Sequence, residues 1–103
     1  MLIARWQIDA KFGQKQTVVD LIRRWGETIA PQIGFTADKG RMLTGSIGAR
    51  EATVVHEWQV GGLAELEAAW SKLARIEAHA AWGAELEPHV VSGSSRWEIY
   101  RVL

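Results

Sequence analysis

The sequence predicts one α+β domain whose strands and helices follow the order βαββαβ. Three observations support this: four short segments alternate with a period of two, two longer segments repeat with a period of about 3.6, and turn residues separate them. The chain has 103 residues, which is room for one domain, so we expect a single domain over residues 1–103.

The first half of the chain predicts a strand, a helix and a loop. Residues 2–9 alternate, and one side of the alternation is apolar: Leu2, Ala4, Trp6 and Ile8. A helix follows, because five apolar residues recur at helical spacing: Val18, Leu21, Ile22, Trp25 and Ile29. Pro31 ends it, since proline disfavours a helical conformation in the preceding residue. Residues 32–40 then form a loop.

The second half predicts a hairpin, a long helical region and a last strand. Strands are expected over residues 41–48 and 52–60, joined by Gly48–Glu51. Gly61 and Gly62 precede a helical region that is bent or broken near Glu77 and ends before Pro88. A polar loop over 92–95 leads to a strand over 96–102. This order is that of the ferredoxin-like fold, with a four-stranded antiparallel sheet ordered 4-1-3-2 and both helices on one face.

The predicted strands have one apolar face and one mixed face. We expect the apolar face to receive the helices; it holds Leu2, Ala4, Trp6, Ile8, Leu43, Ile47, Val54 and Trp58. The other face mixes polar with apolar residues: Arg5, Gln7, Thr44, Ser46, Glu57, Gln59 and Arg101 with Ile3, Met42, Val55, Trp97 and Ile99. Such a face is too apolar to be solvated and too charged for a sealed core. It predicts a homodimer in which two sheets form an α+β barrel, with a solvated face as the alternative.

The mixed face also holds the candidate ligand-binding residues. Arg5, Glu57 and Arg101 are expected side by side, and two guanidinium groups around one carboxylate leave donors for an anionic or carbonyl-bearing ligand. Gln7 and Trp97 complete the candidate site, with Trp97 as the wall for a flat ligand. A structural ion network that fixes the dimer register is the alternative.

Four stretches resemble the NIPSNAP-like branch of the dimeric α/β-barrel proteins. They are Arg41–Gly48, Thr53–Trp58, Gly62–Glu67 and Ser95–Val102. The resemblance implies the fold and the dimer. The wider superfamily includes cofactor-free monooxygenases of antibiotic biosynthesis, haem-degrading enzymes and proteins that only bind small molecules. The resemblance therefore leaves the reaction open.

Few residues suggest catalysis. His56 is predicted to face the helices, where it either makes a structural hydrogen bond or, through a strand bulge, serves as acid or base. Glu57 is the other candidate base. No metal site is predicted, since neither His79 nor His89 has a second ligand at close spacing, and no cofactor is expected. If the protein binds haem, His79 is the first axial-ligand candidate.

Three functions thus stay open, and whether the protein is an enzyme is one of the open points. They are binding of a small organic ligand at the sheet, cofactor-free oxygenation or isomerisation of an aromatic or polyketide-like substrate, and haem binding. Four of the six tryptophans are expected to pack the core, namely Trp6, Trp25, Trp58 and Trp70, and Trp82 is expected either to pack or to cover a cavity mouth.

Composition excludes several other classes. Twelve basic residues balance twelve acidic ones, which predicts no nucleic-acid or anionic-lipid partner. The absence of cysteine excludes disulfides and thiolate chemistry. No signal peptide or membrane span is expected, and a cytoplasmic location is the default.

Overall fold

In the computed structural model, which covers residues 1–103, four strands form one antiparallel sheet. They are β1 (Leu2–Asp9), β2 (Gly40–Thr44), β3 (Thr53–Val60) and β4 (Arg96–Arg101). Their order, β2-β3-β1-β4, is the predicted order read from the opposite edge. The expected α+β class and ferredoxin-like sheet are therefore confirmed.

Three helices complete the fold: α1 (Lys15–Thr28), α2 (Leu63–Leu73) and α3 (Glu77–Leu86). α1 forms because Val18, Leu21, Ile22 and Trp25 make one buried stripe, and Pro31 then lies in a short 3-10 turn. The helical region is broken just before Glu77, as one of the two predicted outcomes, because Ile76 is extended and is the N-cap residue of α3. None of these helices combines the length and the hydrophobicity of a membrane-spanning segment.

The helices pack on the sheet face that carries the apolar residues of β1 and β3. Trp25 of α1 contacts Trp58 of β3, and Trp82 of α3 contacts Trp6 of β1. Twenty buried apolar residues form the core between the two layers. β3 is the most deeply covered strand, because only Gln59 within it is exposed.

The facing predicted for β2 is wrong. Pairing with β3 places Met42 opposite His56 and Leu43 opposite Val55, so Met42 lies on the helix side and Leu43 on the other. β2 also ends at Thr44, and Ile47 is 99% exposed in the following loop. Alternation separates a strand into two sets, but only its register with a neighbour decides which set faces the helices.

The facing predicted for β4 is wrong for the same reason. Trp97 pairs with Trp6 and Arg101 with Leu2, so both lie on the helix side of the sheet. Glu98 and Tyr100 occupy the other face, which we call the open face. Because β4 is an edge strand, Arg101 stays exposed although it is on the helix side.

Gly40 lies directly against the Trp58 ring, and we expect that only glycine fits at this position without strain. A Cβ at position 40 would lie 2.4 Å from the Trp58 ring, whereas a Cβ at Gly83 would meet nothing within 4 Å. Gly40→Ala should therefore lower the free energy of unfolding by about 1–3 kcal/mol. Gly83→Ala, in a helix, should leave it unchanged or raise it by about 1 kcal/mol. Urea unfolding of both variants would measure the difference, and equal stabilities would contradict it.

Candidate functional site

A cavity of about 290 Å³ lies between the sheet and the helices. All six tryptophans of the chain line it. The remaining lining residues are two histidines, two aliphatic residues and a glycine: His56, His79, Ile22, Leu73 and Gly83. We call this space the aromatic cavity.

The sheet and the helices contribute three indoles each. Those from the sheet are Trp6, Trp58 and Trp97, and those from the helices are Trp25, Trp70 and Trp82. They meet in pairs across the two layers, with ring centroids 6.2 Å apart for Trp6 and Trp82 and 5.3 Å apart for Trp70 and Trp97. Tilted and edge-on contacts of this kind suit the ring quadrupoles.

Hydrogen bonds fix the orientation of three of these rings. The Trp6 Nε1 donates to Ser95 Oγ at 2.8 Å, and the Trp82 Nε1 donates to the Leu21 carbonyl at 2.7 Å. The Trp25 Nε1 donates to His79 Nδ1 at 3.0 Å. With their N–H groups bonded to the protein, these rings are held as rigid walls.

His56 faces the aromatic cavity and is 6% exposed. It lies on the helix side as predicted, with its ring centroid 4.5 Å from that of Trp58. Hydrogen bonds within the chain engage His79 and His89 but neither ring nitrogen of His56, so the expected structural hydrogen bond is absent. Burial lowers the pKa of His56 to about 4, which keeps the ring neutral at pH 7.

His79 reaches the same cavity from α3. Its ring stacks on that of Trp82, with centroids 5.8 Å apart and planes 20° apart. Burial lowers its pKa as well. The sequence singled out His79 only as a haem ligand, because nothing in the spacing of positions 56 and 79 shows that they line one cavity.

The open face carries an ion cluster, which is centred on Glu57. The Arg5 Nε lies 2.9 Å from Glu57 Oε1, and the Arg41 Nε donates to Glu57 Oε2 at 2.7 Å. The Nε–H group of Arg5 is not aligned with Glu57 Oε1 and makes no hydrogen bond. Its guanidinium instead lies 5.6 Å from the ring centroid of Tyr100, as in a cation–π contact.

The predicted ligand-binding residues therefore divide between the two faces. Arg5, Gln7 and Glu57 lie on the open face, whereas Trp97 lines the aromatic cavity. Arg101 is not part of the ion cluster, because it lies on the helix side of β4. Arg41 takes its place, and its role could not be predicted because the register of β2 with β3 is not visible in the sequence.

A second space, of about 610 Å³, lies on the open face of the sheet, and we call it the polar groove. Its walls include Arg5, Gln7, Asp9 and Arg50, so polar and charged groups dominate it. Small-molecule sites are usually apolar concavities with a few placed polar groups. The aromatic cavity fits that description and the polar groove does not. No cluster of three His, Cys, Asp or Glu side chains is placed to hold a metal ion.

Solved structures share this fold. A NIPSNAP family protein from Agrobacterium tumefaciens superposes with a TM-score of 0.80 at 22% identity, covering 99% of this chain and 85% of that one. A NIPSNAP-like domain protein from Burkholderia xenovorans gives 0.75 at 17% identity, covering 99% and 84%. An antibiotic biosynthesis monooxygenase gives 0.69 at 14% identity, covering 100% and 99%.

No protein-family model matches the chain, and no curated protein sequence does. The neighbours by structure are thus NIPSNAP proteins and proteins of the antibiotic biosynthesis monooxygenase type, as the sequence resemblance predicted. At these identities the likeness establishes the fold.

His56 should make stability depend on pH. Its folded pKa of about 4 lies below the ordinary 6.5, so between these values the unfolded chain binds more protons. Stability is therefore lost as the pH falls through this window, by about 2 kcal/mol between pH 7 and pH 5. Urea unfolding at both pH values should show this loss in the wild type and a smaller one in His56→Gln. The same loss in both would contradict the assignment.

Proposed function

We propose that the protein binds a small, flat, uncharged aromatic molecule in the aromatic cavity. The observation that carries this proposal is that all six tryptophans of the chain line one space of about 290 Å³. Trp70 and Trp97 are each 38% exposed, so part of their ring surface remains free to contact another aromatic ring. The volume is near the lower end of the range for small-molecule sites, about 300–1,000 Å³, so one or two fused rings fit better than a porphyrin.

The electrostatics favour an uncharged ligand. Neither Lys, Arg, Asp nor Glu lines the cavity, and both histidines are neutral at pH 7 because burial lowers their pKa values. An anion would enter without a counter-charge and would meet the negative faces of the indole rings, and an unpaired buried anion is strongly unfavourable. The imidazoles of His56 and His79 supply the few polar contacts that orient a ligand.

Catalysis on such a ligand is the second candidate, and His56 is the observation that favours it. His56 lines the cavity, and neither of its ring nitrogens makes a hydrogen bond within the chain. Both nitrogens are therefore free to exchange a proton with a ligand, as an acid or base must. With a pKa of about 4, however, His56 is a weak base at neutral pH. Glu57 faces the opposite side of the sheet and is paired with two arginines. These features support binding over oxygenation or isomerisation.

We further propose that a second copy of the chain covers the open face. Val55 and Glu57 are already nearly buried there, and Leu43 is half-buried beside them. Three arginines and three carboxylates share the face: Arg5, Arg41, Arg96, Asp9, Glu57 and Glu98. Because these charges cancel, two copies can approach without net repulsion.

Calorimetric titration with 2-naphthol tests ligand binding. Trp97→Ala should weaken binding roughly threefold to tenfold, because it removes one aromatic wall. Tyr100→Ala is the matched control, since Tyr100 is an aromatic residue of β4 on the opposite face; the two side chains are 38% and 48% exposed. Charged 2-naphthoate should bind more weakly than 2-naphthol. The absence of 2-naphthol binding, or equal weakening by both variants, would contradict the proposal.

Light scattering after size-exclusion chromatography tests the dimer. The wild type should have twice the 11.5 kDa mass of one chain. Leu43→Lys should give monomers, because it places a charge on the open face, whereas Gln16→Lys on the exposed side of α1 should not. A monomeric wild type at micromolar concentration would overturn this proposal and leave ligand binding to be judged separately.

A further inference from the structure

The hydrogen bond between Trp25 and His79 determines which nitrogen of His79 carries a proton. The indole Nε1 of Trp25 lies 3.0 Å from His79 Nδ1 and, as an N–H group, can only donate. Nδ1 must therefore present its lone pair. In a neutral imidazole the proton then resides on Nε2.

The surroundings hold this arrangement in place. The His79 ring stacks on Trp82, and the Trp82 N–H is itself bonded to the Leu21 carbonyl at 2.7 Å. Trp25 is buried in the core and packs against Trp58 and Trp82. A protonated Nδ1 would point its hydrogen at the hydrogen of the indole and leave a buried donor without a partner.

The Nε2–H of His79 is the donor left over. No hydrogen bond within the chain uses it, and His79 lines the aromatic cavity. His56 differs, because neither of its nitrogens is bonded and its tautomer is free to follow the ligand. The cavity thus has one committed donor and one adaptable imidazole.

We propose that Trp25 is a positioning residue that holds His79 as a hydrogen-bond donor, so that the cavity selects aromatic ligands carrying an oxygen acceptor. The selectivity part rests on the proposed function, whereas the tautomer is a property of the protein alone. The geometry also disagrees with His79 as a haem ligand. A metal-binding histidine offers a lone pair to the metal and donates its other N–H to the protein, and His79 does the reverse.

Heteronuclear NMR of the ring nitrogens tests the positioning role. In the wild type His79 should show an unprotonated Nδ1 and a protonated Nε2. Trp25→Phe keeps an aromatic ring but removes the donor, and should give a mixture of tautomers. Trp58→Phe is the matched control, since it makes the same change in a cavity wall that does not bond to His79. A protonated Nδ1 in the wild type, or an unchanged tautomer in Trp25→Phe, would overturn the inference.

Calorimetry with two probes of the same shape tests the selectivity. 2-Acetonaphthone carries a carbonyl oxygen where 2-isopropenylnaphthalene carries a methylene group. The wild type should prefer the ketone roughly threefold to tenfold, and Trp25→Phe and His79→Phe should reduce that preference while Trp58→Phe keeps it. Equal affinities in the wild type would overturn the selectivity and leave the proposed function standing. If neither probe binds, both the selectivity and the proposed function are contradicted, and the NMR spectra still decide the role of Trp25.

Discussion

Packing between indole rings is the interaction on which the sheet, the helices and the cavity all depend. Trp25 contacts rings from both the sheet and α3, with centroids 6.1 Å from those of Trp58 and Trp82. The rings that join the two layers also line the space of about 290 Å³ between them, so the contacts that hold the layers together are made by the walls of the cavity. The fold and the candidate site are therefore stabilised by one set of residues.

The sheet also separates two electrostatic environments. His56 and Glu57 are neighbours along β3, yet they face opposite sides. A nearby carboxylate would ordinarily raise the pKa of a histidine. Glu57 instead lies between Arg5 and Arg41, and burial alone sets the pKa of His56. The open face can thus hold a charged network while the aromatic cavity stays uncharged.

Most of the fold could be predicted from the sequence, because one face of the central strands is buried. The alternation of Leu2, Ala4 and Trp6 predicts the facing of β1 correctly, because these apolar residues all lie under the helices. Edge strands are covered less and carry apolar residues on both sides, as Trp97 and Tyr100 show in β4. Alternation in such a strand does not show which set of residues faces the helices until its pairing with a neighbouring strand is known. For this reason Arg101 was predicted in the ion cluster and Arg41 was not.

The candidate site was harder to predict, because the role of a histidine depends on its hydrogen-bond partner. Position 79 on a helix is compatible with a metal ligand, a base or a donor, and the sequence suggested the first. The partner that decides is Trp25, which is 54 positions away and was expected only to pack. No local pattern connects the two residues, since the contact exists only after α1 and α3 pack on the same sheet face. Residue type and spacing therefore identify His79 as a candidate site residue, but only the tertiary structure shows which of its ring nitrogens carries the proton.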